Sequence, residues 1–290
     1  MKQNKLILGT VQFGLDYGIN NNQGKLYAED VYEILSAAFD GGVRLLDTAN
    51  AYGNAVSLIG DFHELFPEKK FKIISKFYLK DLKSNNIYEE LKTLKVNQYY
   101  AYLYHSFNEY EAAEENVLFI LDDYKEKGLI NKVGVSVYTN DQFLKAINDE
   151  KVELIQFPYN LLDNWSQKGE LIKLAKDKGK ETHARSVFLQ GLFYKNEDEF
   201  TDQLKPLIPL INHVKEIANK MNVTLNNFAL NYVISNPFID FALIGVDNKI
   251  HLLQNLEILL RKNDKVNFEL VDCLKVTETD LLNPVNWKKI

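Results

Sequence analysis

LLDTANAYGN, residues 45–54, runs two leucines straight into an aspartate and then holds a tyrosine on the turn just beyond, between an alanine and a glycine. An apolar run that stops on a charge has the form of a buried strand that delivers a polar residue at its end. The form repeats along the chain. Eight apolar runs of strand length follow one another: KLILGT (5–10), VRLLDTA (43–49), FKIISKF (71–77), YYAYLYHS (99–106), NKVGVSV (131–137), VELIQF (152–157), ETHARSV (181–187) and DFALIG (240–245). Several are too continuously apolar to have a solvated face, as expected of strands covered on both sides.

Amphipathic segments separate the runs. AEDVYEILSAAFDGG ends on Gly41 and Gly42, ENVLFILDDYKEKG on Gly128, and GELIKLAKDKG on Gly179. Glycine just past the last turn is a common helix stop. The gap between the seventh and eighth runs is longer and holds two helix patterns, LKPLIPLINHVKEIANKM and TLNNFALNYVISN. Eight strand–helix units in 290 residues predict one α/β domain over residues 1–290, a (β/α)8 TIM barrel. The rival is a doubly wound open sheet, which usually carries G-x-G-x-x-G after its first strand. Here the first run leads into GTVQFGLDYG, whose glycines are spaced wrongly, and the Walker pattern is missing.

Composition narrows the function classes. The formal net charge is −6, and the lysines are interspersed with acids, as in YKEKG and KLAKDKGK. Nucleic-acid binding needs a clustered basic excess, so that partner is excluded. A lone cysteine, Cys273, rules out an internal disulfide and points to a reducing, cytoplasmic setting. The apolar run in MKQNKLILGT is too short for a signal-peptide core. No stretch approaches the roughly 18 apolar residues of a membrane span. His63, His183 and His213 lack metal-ligand spacing, and neither H-E-x-x-H nor C-x-x-C occurs, so no metal is expected. His63, beside Glu64, reads as helix surface. Ser136 and Ser186 belong to no Ser–His–Asp pattern, which argues against nucleophilic hydrolysis. Oligomeric state leaves no mark in the sequence.

In a parallel barrel the reactive side chains stand at the C-terminal ends of the strands. Asp47 ends the second run, Tyr52 follows on its turn, Lys76 lies at the end of the third run and His105 at the end of the fourth. Singly, each has an ordinary reading: a strand-end cap, one of 16 tyrosines, a surface lysine, a half-buried histidine. Together they make chemical sense. A phenol with a pKa of about 10 is protonated at neutral pH but is a sluggish acid. A nearby ammonium brings that pKa down, and an aspartate keeps the ammonium charged beside apolar strands. A histidine N–H can hold a carbonyl oxygen in line. The set suits a reaction in which a carbonyl oxygen gains a proton as its carbon gains a hydride.

DTANAYGN, ISKF and LYHS, in this order on successive strands, resemble the aldo-keto reductases, and the resemblance runs from LILGTVQFG to LIGVDNKIHLLQN. It implies a (β/α)8 barrel that binds NADPH, or less often NADH, in extended form with no Rossmann domain. It implies the tetrad Asp47, Tyr52, Lys76 and His105. Ser136 and Gln156 match family residues that hold the nicotinamide carboxamide; the asparagine often found after that serine is Val137 here. Many members place an aromatic under the nicotinamide after strand seven, where ARSVFLQG puts Arg185 and Ser186; Arg185 is expected to touch cofactor or substrate. Gly245, Val246 and Asp247 lead into a helix that begins near Lys249, and a helix N-terminus seats phosphate. One turn before Asn255, the position matching the adenine contact, many NADPH-dependent members carry an arginine; here it is His251, with Lys249 near and Gln254 where glutamate is common. NADPH is the expected cofactor, with NADH as the alternative.

Phe13, Tyr17, Phe77, Phe107, Tyr138 and Tyr159 all lie just past strand ends. Pointing inward, they would form an aromatic funnel for an apolar or sugar-like ring. The expected activity is NAD(P)H-dependent reduction of a small carbonyl substrate. TVQFGLDYGI and SVFLQG look similar to a bacterial branch often linked to sugar metabolism, which leans the substrate towards sugar or nucleotide-sugar carbonyls. Two other roles use the same fold: a nucleotide-sensing regulatory subunit, and a hydride-shuttling isomerase or eliminase that keeps its cofactor.

Overall fold

Each apolar run supplies one strand: β1 (Leu6–Gly9), β2 (Leu45–Asp47), β3 (Lys72–Phe77), β4 (Tyr99–Tyr104), β5 (Val133–Ser136), β6 (Leu154–Pro158), β7 (Glu181–Arg185) and β8 (Phe241–Ile244). The computed structural model describes residues 4–19, 24–83, 87–260 and 268–287. All eight strands pair in parallel and in chain order, and β8 returns to β1 to close the barrel. Six of the eight runs overshoot their strands at the C-terminal end; FKIISKF and VELIQF do not. Thr10, His105 and Ser186 thus leave the ladder and stand at the barrel mouth.

Side chains on a strand alternate between faces. Ile7, Leu45, Ile74, Ala101, Leu103, Leu154 and Phe241 form one buried cluster, the filling of the barrel. Their neighbours Leu6, Leu8, Leu46, Ile73, Tyr102, Tyr104 and Ile155 join a second, larger core with the helices. The barrel is a packed plug, and what stands above the plug is decided by the next inward position on each strand.

The outer layer is α1 (Ala28–Asp40), α2 (Ala55–Leu65), α3 (Ile87–Leu94), α4 (Glu115–Glu126), α5 (Asn140–Asn148), α6 (Trp165–Asp177), α7 (Ile208–Lys220), α8 (Leu225–Ile234) and α9 (Lys249–Leu260). The long β7–β8 connection holds two helices, α7 and α8, as its sequence predicts. α6 begins four residues before the GELIK pattern, because Asn164 caps it by accepting from the Ser166 N–H at 3.1 Å. Among the described residues no helix is long and apolar enough to cross a membrane.

His63 corrects a surface reading. It is 1% exposed. Its Nε2 accepts the Phe71 N–H at 3.1 Å, which leaves Nδ1 to donate to the Leu94 carbonyl at 2.8 Å. Burial holds its pKa below the ordinary value, so it is the neutral ring that ties α2 to the start of β3 and the end of α3. Replacing His63 with Leu strands a buried N–H and a buried carbonyl, each worth about 1–3 kcal/mol. Urea unfolding of His63→Leu is expected to show a loss of at least that size, and an unchanged midpoint would contradict the bridging role.

Candidate active site

Two residues along a strand is one step on the same face. Leu45 in the barrel plug is therefore followed on the inner face by Asp47, Ile74 by Lys76, Leu103 by His105 and Leu154 by Gln156. The apolar plug and the polar floor above it come from one alternation.

The floor is an ion pair. The Lys76 ammonium donates to Asp47 Oδ1, and the two side chains are only 5% and 3% exposed. Asp47 Oδ2 accepts from Gln156 Nε2 at 2.9 Å. Lys76 Nζ reaches the Tyr52 hydroxyl at 3.4 Å. Burial works against the ammonium, but the Asp47 carboxylate and the Tyr52 oxygen more than offset it, and the lysine pKa stands above its ordinary value.

Tyr52 sits where it does because of the glycine after it. Gly53 has φ +58°, and a Cβ there would meet the Gly14 carbonyl at 2.4 Å. The turn after β2 is thus pressed against the short helical turn after β1. The close backbone contact holds the Tyr52 phenol beside the Asp47–Lys76 pair. The expected lowering of its pKa is not the net result. Burial is the largest effect and raises it, Lys76 lowers it, Asp47 raises it, and the phenol ends above its ordinary value. Lys76 limits the rise. The phenol is firmly protonated at neutral pH.

His105 faces Tyr52 edge-on, with ring centroids 6.2 Å apart at 78°. Its other side is stacked on Tyr78 at 4.5 Å and 10°. Burial, followed by the Lys76 charge, lowers its pKa to about 4, so it is a neutral ring at pH 7. Tyr78 follows Lys76 by two residues and shares its parity, which is the signal by which it could have been found.

Asp47, Tyr52, Lys76 and His105 line a cavity of about 550 Å³. Ser136, Gln156, Arg185, Ser186, Gly245, Asp247, His251 and Asn255 also line it, as do Tyr17 and Tyr138. Ser136 and Gln156 are register partners on β5 and β6. The Arg185 guanidinium donates to the Val137 carbonyl at 2.9 Å and lies 4.0 Å over the Tyr138 ring. Five expected positions fall elsewhere. Phe77 is adjacent to Lys76, so it points to the opposite face and packs on Tyr102 and Tyr104. Phe107 opens a short helix capped by Ser106 and is buried against Tyr110. Phe13 is fully buried in the helical turn after β1. Lys249 turns outward and pairs with Glu33 of α1 at 3.3 Å. Tyr159 is also core, stacked on Tyr232 at 5.2 Å. The funnel is therefore narrower than six aromatics.

Several lining residues were not anticipated. Gln190 Nε2 donates to the Tyr17 hydroxyl at 2.9 Å, joining the loops after β7 and β1. Tyr194, Asn226 and Asn255 form a chain, with Tyr194 OH donating to Asn226 at 3.1 Å and Asn226 donating to Asn255 at 3.1 Å. Gln12 lies beside Gly245, where a Cβ would meet its amide at 2.5 Å, and its carbonyl oxygen is buried with no described hydrogen-bond partner.

Comparison with known proteins shows the family and the fold. The model of the Aldo/keto reductase family matches residues 5–275. A Schizosaccharomyces pombe protein named "Putative aryl-alcohol dehydrogenase" is 23% identical, with 91% of each chain covered. The structure of a glycerol dehydrogenase from Gluconobacter oxydans superposes with a TM-score of 0.72 at 17% identity, covering 93% of this chain and 90% of that one. An aldo-keto reductase from Klebsiella pneumoniae, in complex with NADPH, gives a TM-score of 0.68 at 17% identity over 92% and 89%. At such identities the structural likeness speaks for the barrel alone.

Removing one partner of a buried pair costs about 3–5 kcal/mol, whereas replacing both by apolar groups is often neutral. Lys76→Met is expected to lose stability on that scale in urea unfolding, and Asp47→Leu/Lys76→Met to recover at least half of the loss. A double variant no better than the single one would show that the pair is not the unit described.

Proposed function

The chain belongs to the aldo/keto reductase family of oxidoreductases, and from that premise we propose that it reduces a small carbonyl substrate with a nicotinamide dinucleotide, Tyr52 acting as proton donor. The observation that carries the reading is the contact of Lys76 with both Asp47 and the Tyr52 hydroxyl at the floor of one cavity. When bound, the reduced nicotinamide supplies hydride to the carbonyl carbon. Tyr52 gives its hydroxyl proton to the carbonyl oxygen. Lys76 stabilises the phenolate left behind, and Asp47 keeps Lys76 charged while Gln156 fixes the carboxylate. His105, neutral and clamped by Tyr78, is free to donate a hydrogen bond that orients the oxygen.

The cavity suits the dinucleotide. Ser136 and Gln156 would hold its carboxamide, and the orphaned carbonyl of Gln12 is a ready acceptor beside the cradle at Gly245. Gly245 to Asp247 and the start of α9 would receive the phosphates, with Asn255 at the adenine end. His251 lines the cavity and stands 3.8 Å from Asp247, a weaker phosphate partner than arginine. We expect NADPH to be used and NADH to be accepted. The mouth, with Tyr17, Tyr138 and Gln190, suits a hydroxylated ring such as a sugar or nucleotide-sugar carbonyl.

Tyr52→Phe is expected to lower kcat on a generic aldehyde by about 10²–10⁴-fold, the usual worth of a general acid. Fluorescence titration with NADPH and NADH should give the same Kd values in variant and wild type. Full turnover in the variant would overturn the donor role.

A further inference from the structure

Arg185 ends β7 in the cavity wall, and the groups that hold its guanidinium are all neutral. NH2 donates to the Val137 carbonyl at 2.9 Å, and NH1 to the Ser186 hydroxyl at 3.3 Å. Nε is buried with no hydrogen-bond partner. The Tyr138 ring supports the guanidinium plane at 4.0 Å. Among the described residues no carboxylate lies within ion-pair distance of it. Asp163 does sense its charge, but Asp163 is already committed to Lys168 in a pair whose side chains are 5% and 6% exposed. Asp163, Lys168 and Arg185 together leave one positive charge without a counter-ion.

Arginine does not give up its proton in a protein. A guanidinium kept in a partly desolvated wall without an anion is costly, and the cost is relieved when a ligand brings the anion. The place of this cation in the cavity is also defined. The Tyr17 phenol lies within electrostatic range of Tyr52, Tyr138 and Arg185 at once. The guanidinium lines the same cavity as the proton-donating phenol of Tyr52. Its contacts are at the end of β5, in Val137 and Tyr138, and not at the β8–α9 turn, which carries the acidic Asp247.

Resting on the reductase reading, we propose that the substrate is a carbonyl compound that carries a carboxylate, and that Arg185 receives the carboxylate while Tyr52 faces the carbonyl. A dinucleotide phosphate offers the same oxyanion chemistry, so the test separates the two sources. In wild type, kcat/KM for 4-carboxybenzaldehyde is expected to exceed that for benzaldehyde by tenfold or more, and D-glucuronate to be preferred over D-glucose in the same sense. Arg185→Met should lower kcat/KM for the carboxylated members at least tenfold more than for the neutral members, chiefly through KM. Arg185→Lys should recover part of the loss. Binding needs no turnover: benzoate should bind the dinucleotide-loaded wild type more tightly than benzamide, and Arg185→Met should erase that difference.

Equal losses on carboxylated and neutral members, or a weakened Kd for NADPH with no effect on benzoate, would overturn the carboxylate role. Benzoate selectivity that depends on Arg185, without reduction of any carbonyl, would keep the anion site and overturn the reductase reading.

Discussion

A single buried ammonium organises the mouth of this barrel. An isolated charge cannot be moved from water into a protein interior without a cost of several kcal/mol. Lys76 bears that burden only because Asp47 is beside it, and Asp47 is held because Gln156 occupies its other oxygen. The three come from β3, β2 and β6, so the closed barrel is a precondition for the pair. Tyr52 then acquires its chemistry from the pair. Burial drives its phenol towards permanent protonation, and the ammonium 3.4 Å away keeps the phenolate within reach. Burial first, and the ammonium second, keep His105 neutral, which suits a hydrogen-bond donor to a carbonyl.

The strand alternation that fills the barrel also furnishes the site. Leu45, Ile74, Leu103 and Leu154 exclude water from below, and the residue two further along each strand works above them. A polar floor on a dry plug has a low local dielectric, where each charge counts for more. The supporting loops are rigid in the same sense. Gly53 against Gly14 fixes the Tyr52 turn, and Tyr78 fixes the His105 ring. At the rim the Asn160 side chain donates to the Ser186 carbonyl at 3.2 Å, which steadies a residue whose own φ is +58°.

Much of this was legible in LLDTANAYGN and its seven companion runs. Strand number and the eight-unit barrel follow from the alternation of apolar runs with helix patterns, and the strand-end positions of Asp47, Lys76 and His105 from where those runs stop. Strand parity separates the aromatics. Phe77 is adjacent to Lys76 and had to face the helices, whereas Tyr78, two residues from Lys76, faces His105. Other features depend on partners distant in sequence. His63 is buried because Phe71 and Leu94 converge on it. Lys249 is drawn away by Glu33 of α1. The direction of the Tyr52 shift is a contest between burial and charge, and only the three-dimensional packing decides which is larger. Arg185 was visible as a residue, but its lack of a counter-ion emerges only once Asp163 is seen to be taken by Lys168.

The most direct measurement is the pH dependence of kcat/KM for carbonyl reduction from pH 6 to 11, in wild type and in Lys76→Met. A protonated Tyr52 acting as the acid requires a plateau through neutral pH and a fall at alkaline pH as the phenol ionises. Because Lys76 draws that ionisation down, the fall should move to higher pH when the ammonium is removed. An alkaline limb that stays in place in Lys76→Met, with the rate otherwise intact, would contradict the coupling of Lys76 to Tyr52 on which the account rests.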